Sequence, residues 1–151
     1  MIELASQKDI ASAQTLAQIA AKARAAFWTK EQFENELNLN CAQIFLYRTQ
    51  SSKELLAFIC FRVYQDEAEL TNFAVLPQEQ NKKIGTQLLS FALTYLLDKG
   101  VKKITLEVST QNKKAKKLYT NFGFKKVAVR KNFYEGEIDA ELMLFTASTK
   151  I

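Results

Sequence analysis

Two side chains and one basic segment stand out for the chemistry they can do: Glu107, Tyr119 and the run Gln80–Thr86. The 151-residue chain has no histidine, so any general base must be a carboxylate, a lysine or water. Glu107 alternates against Leu106 and Val108 in Lys103–Val108, a run that reads as a buried strand. An uncompensated carboxylate there is costly, so it is either put to use or paired in a salt bridge to a nearby lysine. Burial would favour its taking up a proton, as a general base must. Tyr119 falls on the rim of a helical apolar face, beside Ala115 and Phe122. On the residues alone it is a core tyrosine or a functional phenol. Gln80-Asn81-Lys82-Lys83-Ile84-Gly85-Thr86 opens a helix, and backbone amides at a helix start bind anions. The plainer reading of Lys82 and Lys83 is a solvated helix start.

The elements that must position these residues follow from periodicity. Ile2 to Ala5 is a short strand, and Lys8 to Arg24 has helical spacing. Thr29-Lys30-Glu31-Gln32 fits a capping box and starts a second helix that runs to Asn38 and buries Phe33 and Leu37. Ala42–Tyr47, Leu55–Tyr64 and Ala68–Leu76 are β-branched and aromatic runs that form an antiparallel meander closed by Pro77. Ile84–Leu97 is a helix stopped by Gly100, Lys103–Val108 a strand, and Asn112–Phe122 a helix stopped by Gly123. Its lysines 113, 114, 116 and 117 face outward and Ala115, Leu118 and Phe122 inward. The strand–helix–strand unit implies parallel strands with a right-handed crossover. Lys125–Phe133 and Ile138–Phe145 make a last hairpin around Glu135-Gly136. The order is β-α-α-β-β-β-α-β-α-β-β, a mixed α/β fold in a single domain spanning 1–151.

Four segments in this order carry a resemblance: Asp66–Val75, Gln80–Gly85, Leu106-Glu107-Val108, and Asn112-x-x-Ala115-x-x-Leu118-Tyr119-x-x-Phe122-Gly123-Phe124. Together they resemble the GCN5-related N-acetyltransferase (GNAT) superfamily, and within it the bacterial ribosomal-protein-alanine acetyltransferases of the RimI type. The resemblance implies the GNAT fold with splayed central parallel strands, and acetyl-CoA as co-substrate without a metal. It implies transfer of acetyl to a protein N-terminal α-amine. Pantetheine would add as a pseudo-strand to the backbone of Phe73, Ala74 and Val75; the side chains of Phe73 and Val75 can equally be core. The loop Gln80, Asn81, Lys82, Lys83, Ile84, Gly85 and Thr86 would take the pyrophosphate. Lys83 stands where the family has its first glycine, giving up that residue's conformational freedom and adding a charge. Glu107 would be the general base and Tyr119 the general acid, a phenol of pKa about 10 serving a thiolate of about 8.5. Asn112 and Tyr119 would touch the cofactor, although Asn112 also suits a helix N-cap. Trp28, Phe33, Phe133 and Tyr134 match positions that shape the acceptor channel, or are ordinary core aromatics. The acidic stretch Glu135, Glu137, Asp139 and Glu141 reads as a solvated turn, or as an attractor for a cationic amine.

Composition narrows the rivals. With 48% hydrophobic residues and eleven Phe a full core is available, and the net charge of +5 is spread along the chain, which suits anions better than nucleic acid. Cys41 and Cys60 lie in apolar runs without a CxxC or histidine and read as reduced core residues. The N-terminus is neither signal peptide nor anchor, and no apolar run reaches the ~20 residues of a membrane helix. The expectation is a cytoplasmic protein, monomer or weak dimer, that binds neither membrane nor nucleic acid and acts on a protein or peptide N-terminus, possible acceptors including a ribosomal protein. The alternatives are a GNAT enzyme acting on a polyamine or aminoglycoside, and a lapsed domain that only binds a partner.

Overall fold

The β-branched and aromatic runs form seven strands: β1 (Ile2–Leu4), β2 (Ala42–Arg48), β3 (Leu55–Tyr64), β4 (Glu67–Val75), β5 (Lys103–Ser109), β6 (Lys125–Tyr134) and β7 (Ile138–Thr146). The computed structural model describes residues 1–25, 28–134 and 138–147. The strands share one sheet in the order β1-β2-β3-β4-β5-β7-β6. Every neighbouring pair is antiparallel except β4 and β5, the pair joined through a helix, which is what a crossover connection requires.

The helices are α1 (Ala13–Lys22), α2 (Lys30–Leu37), α3 (Ile84–Asp98) and α4 (Lys113–Asn121). On one face α2 packs Phe33 edge-on against Phe58 of β3 at 5.2 Å, and α1 lies beside α2. On the other face α3 presents Phe91 and Tyr95 to Phe45 of β2, and α4 presents Tyr119 to Phe73 of β4. The sheet is therefore covered on both sides, and Phe33, Phe45, Phe58, Phe61, Leu88 and Leu89 are fully buried. The predicted capping box of α2 is present: Gln32 N donates to Thr29 Oγ1 at 3.1 Å and Thr29 N to Gln32 Oε1 at 2.8 Å. Such a cap contributes about 1 kcal/mol. Glu36 of the same helix, buried, accepts from Arg62 of β3 at 2.9 and 2.7 Å, a fork-to-fork pair that fixes α2 on the sheet.

Two irregularities shape the sheet around β4. Opposite Cys60 and Phe61 the pairing steps from Asn72 to Leu70, leaving Thr71 as the extra residue of a β-bulge. Thr71 Oγ1 donates to the Cys60 carbonyl at 3.3 Å. A bulge shifts the alternation by one, so Ala68 and Leu70 face α3 while Asn72 and Ala74 face α1 and α2, and Phe73 and Val75 face α3 and α4. Secondly, β4 and β5 pair only through Glu67↔Lys103, Ala68↔Ile104 and Glu69↔Thr105. β4 continues to Val75, and β5 continues to Ser109 while still fully paired with β7 on its other side. The two parallel strands thus part company after three residue pairs and leave a wedge.

The first helix departs from expectation. Lys8–Arg24 splits into a 3-10 segment, Gln7–Ser12, followed by α1. Asp9 accounts for the early start: its Oδ2 accepts from Ser6 N at 2.8 Å and its Oδ1 stands 3.6 Å from Arg48 Nη2, tying the first turn to β2. Cys60 is buried as expected, whereas Cys41 is half-buried in the turn before β2, with Tyr64 Oη 3.6 Å from its sulfur. Among the described residues no helix is long and apolar enough to cross a membrane, and no group of three or more His, Cys, Asp or Glu side chains is placed to hold a metal.

Candidate active site

The wedge opens into a cleft of about 1280 Å³ walled by the diverging strands and the first turns of α3 and α4. Its size exceeds the ~300–1,000 Å³ of typical small-ligand pockets. Its lining comes from both faces of the sheet: Ala23–Ala25 after α1 on one side, Gly85, Leu118 and Tyr119 of α3 and α4 on the other. Phe73, Ala74, Val75, Gln80, Asn81, Lys83, Ile84, Gly85, Thr86, Glu107, Asn112 and Tyr119, singled out from the sequence, all line this one space.

The edge of β4 is turned toward the cleft. Leu76 N donates to the Leu56 carbonyl of β3 at 2.9 Å. Because backbone groups in an antiparallel ladder alternate in direction, Val75 and Phe73 direct their N–H and C=O groups away from β3, into the gap. Gln80 Nε2 donates to the Val75 carbonyl at 3.0 Å, so that acceptor is already taken, and Gln80 serves as a brace between the strand and the loop. The Phe73 groups and the Val75 N–H remain the strand edge that an amide-bearing arm would meet.

The loop before α3 is curled by two left-handed residues, Asn81 and Lys83, both with φ of +66°. A lysine at 83 was expected to give up glycine's freedom. The chain instead keeps glycine's backbone with a lysine on it, at a cost of about 1–2 kcal/mol. Left-handed residues of this kind curl successive N–H groups into an anion-binding concavity, and Lys83 is at once the N-cap of α3. Lys82 does not line the cleft; its Nζ is 3.2 Å from Glu79 Oε1. A Cβ on Gly85 would meet only ordinary contacts, Phe73 Cζ at 3.5 Å and Val75 Cγ2 at 3.8 Å, so protein packing does not demand glycine there. What the missing side chain leaves open is cleft space beside the loop amides. A strand edge for amides, a curled loop with cations for phosphates and open room between them match the donor set that acetyl-CoA needs.

Glu107 and Tyr119 take different surroundings from those expected. Glu107 is half-buried, with its side chain 21% exposed, and its Oε2 is 3.1 Å from Arg130 Nε. The carboxylate is less buried than its strand implied, and it is paired, with an arginine of β6 rather than a lysine. Tyr119 is not on the rim: it is the one buried residue of α4, while Ala115, Leu118 and Phe122 are half-buried. Its ring packs between Phe73 and Phe124, with centroids at 6.4 and 5.7 Å. Asn112 is an N-cap, its Oδ1 accepting from Ala115 N at 3.1 Å, and it also lines the cleft.

The acceptor-side expectations separate. Phe33 is fully buried against Phe58 and Trp28 and does not line the cleft; it is a core residue. Trp28, half-buried, packs at a tilt against Phe33, with centroids 5.1 Å apart, and also lies outside the lining. Phe133 and Tyr134 belong to β6, with their side chains outside the described residues, as are Glu135 and Glu137 entirely. Glu141 is no solvated turn residue. It is buried, and its Oε1 lies 3.2 Å from Lys116 Nζ, fastening α4 to β7. Asp139 pairs with Lys131 at 3.3 Å. Sequence reading missed Arg130, Ser109, Lys114 and the segment Ala23–Ala25, none of which belongs to a recognisable motif.

Comparison with known proteins agrees with this geometry. Residues 10–124 match the Acetyltransferase (GNAT) family. The [Ribosomal protein bS18]-alanine N-acetyltransferase of Escherichia coli K12 is 34% identical over 136 residues, covering 86% of this chain and 88% of that protein. Its counterpart from Salmonella typhimurium is 32% identical over 139 residues, covering 87% and 88%. The crystal structure of the ribosomal-protein-S18-alanine N-acetyltransferase from Escherichia coli superimposes with a TM-score of 0.84 at 31% identity, covering all of this chain and 97% of that one. With the sheet, the wedge and the loop all in place, the chain belongs to the acetyltransferase (GNAT) family and is an N-acetyltransferase that uses acetyl-CoA as co-substrate.

Proposed function

We propose that the protein acetylates the N-terminal α-amine of a protein, with an alanine-initiated ribosomal protein as the favoured acceptor. The observation that carries this reading is the through-sheet cleft, which brings Glu107 and Tyr119 to one space lined from both faces. A tail and an amine arriving from opposite faces meet there without a covalent enzyme intermediate. The relatives that act on bS18 alanine add support for the acceptor class.

Acetyl-CoA supplies the activated thioester; the chain's residues do the rest. The β4 edge at Phe73 and Val75 orients the arm, and the Val75 N–H is aimed to stabilise charge on the thioester oxygen. Ile104, Leu106 and Val108 share the α3 face with Ala68, their register partner through Ile104, so Glu107 faces the α1 and α2 side, where the amine enters. Glu107 takes the amine proton, directly or through water. An α-amine of pKa about 8 already has a neutral fraction near pH 7, so a modest base suffices. Tyr119 donates its phenolic proton to the departing thiolate. Arg130 holds the Glu107 carboxylate in a fixed place between turnovers.

The test is an acetylation assay read by mass spectrometry. It compares a peptide beginning with the bS18 alanine sequence with the same peptide blocked at its N-terminus, with spermidine and with an aminoglycoside. Modification confined to the free α-amine is expected. Faster turnover of spermidine or the aminoglycoside than of the peptide would replace the reading with a small-molecule one.

A further inference from the structure

Lys114 belongs to none of the motifs, yet it stands at the mouth of the cleft. It is the second residue of α4, and its Nζ donates to Asn81 Oδ1 at 2.7 Å, joining the start of α4 to the loop before α3 across 33 residues of sequence. Both residues line the cleft. The loop's cations are not equivalent. Lys82 is matched by Glu79 and faces away from the lining. Lys83 and Lys114 line the cleft, and among the described residues neither has a carboxylate partner. The Asn81 oxygen is a neutral acceptor, so it offers the ammonium a hydrogen bond without the Coulombic attraction that an anionic phosphate oxygen adds at the same distance. A phosphate oxygen can therefore take the place of the Asn81 oxygen with a gain in charge–charge attraction. The loop amides and Lys83 supply one wall of an anion site; Lys114 is the cation facing them from the other wall.

We propose that Lys114 is a phosphate ligand for coenzyme A, supplied from α4, and that its bond to Asn81 holds it aimed at the site until a phosphate takes the place of the amide oxygen. This rests on the acetyl-CoA reading of the cleft. The site has a cation from each wall, so binding is more salt-sensitive than loop amides alone would make it.

Isothermal titration of the full chain with coenzyme A, at low and physiological salt, tests it with Lys114→Met and Lys114→Arg. The Met variant is expected to bind about tenfold more weakly at low salt, with a flatter salt dependence and unchanged Tm, and the Arg variant to bind within about threefold of the parent. Repeating the series with 3′-dephospho-coenzyme A identifies the source: a Met-variant loss that persists assigns Lys114 to the pyrophosphate, and one that vanishes assigns it to the 3′-phosphate. Affinity and salt dependence in Lys114→Met equal to the parent's would overturn the proposal while leaving the cofactor reading intact. So would equal losses in both variants with a lowered Tm, which would make the lysine a structural brace. No binding of coenzyme A by the parent at millimolar concentration would overturn both.

Discussion

Arg130 reaches Glu107 across the full width of an intervening strand. The two lie on β6 and β5, with β7 between them, and Nε stands 3.1 Å from Oε2. Register explains how. Glu107 pairs with Leu142 and Ser109 with Ala140 on β7, while Ala128 and Arg130 of β6 pair with the same two residues. Glu107 and Arg130 therefore occupy adjacent rows on one face of the sheet, and the β7 residue in Arg130's own row is an alanine, short enough to be crossed. The pair places a charged group beside the proposed base without desolvating either partner fully.

Replacing Glu107 by Gln should lower kcat by about 10²- to 10⁴-fold, the span of general-base effects, and leave coenzyme A affinity within about twofold of the parent. Steady-state kinetics with a peptide acceptor, beside a binding titration, check it. Unaltered turnover would remove Glu107 from the mechanism.

Tyr119→Phe removes only the hydroxyl. The ring still packs against Phe73 and Phe124, so Tm should move by no more than a few degrees while kcat falls at least about tenfold. A thermal melt run with the rate assay separates packing from proton donation. A rate equal to the parent's at every pH would make the tyrosine a packing residue.

Lys83→Gly sets two effects against each other. Glycine adopts the +66° φ without penalty, which should stabilise the fold by about 1 kcal/mol and raise Tm by about 2–4 °C. The charge is lost from the cleft wall, so coenzyme A should bind more weakly. Tighter binding in the glycine variant would mean that the lysine obstructs the loop.

The two thiols should differ in reactivity. Burial, with a smaller contribution from the Glu36 charge, pushes the Cys60 thiol well above its usual range, so it stays protonated and enclosed at neutral pH. Cys41 is half-buried near the surface. A thiol reagent should label Cys41 alone in the native protein and both residues in denaturant. Labelling of Cys60 at a comparable native rate would show that the β3 core opens readily.

How much was legible in the sequence can be judged from particular residues. The strand boundaries of β3, the Thr29 capping box and the left-handed Gly123, φ +100°, were all readable, because each depends on neighbours within a few positions. Tyr119 was misplaced to the rim because four lysines on a short helix suggested a different inward stripe. The tertiary contact with β4 decided which residue was buried. Glu107 stood out by its alternation on a strand, and it lines the cleft, but its partner lies two strands away, and no local pattern encodes a diagonal between β5 and β6. The same holds for Lys114 and Asn81, brought together where the start of α4 meets the loop before α3.

The order of elements, the loop and the identity of the chemical groups belong to the sequence by itself, since periodicity, caps and turn residues act through short-range sterics and hydrogen bonds. Only the tertiary structure decided where β4 and β5 separate and which charges face each other across the gap. Those depend on long-range register, which is set by how all seven strands and their two helical layers pack at once.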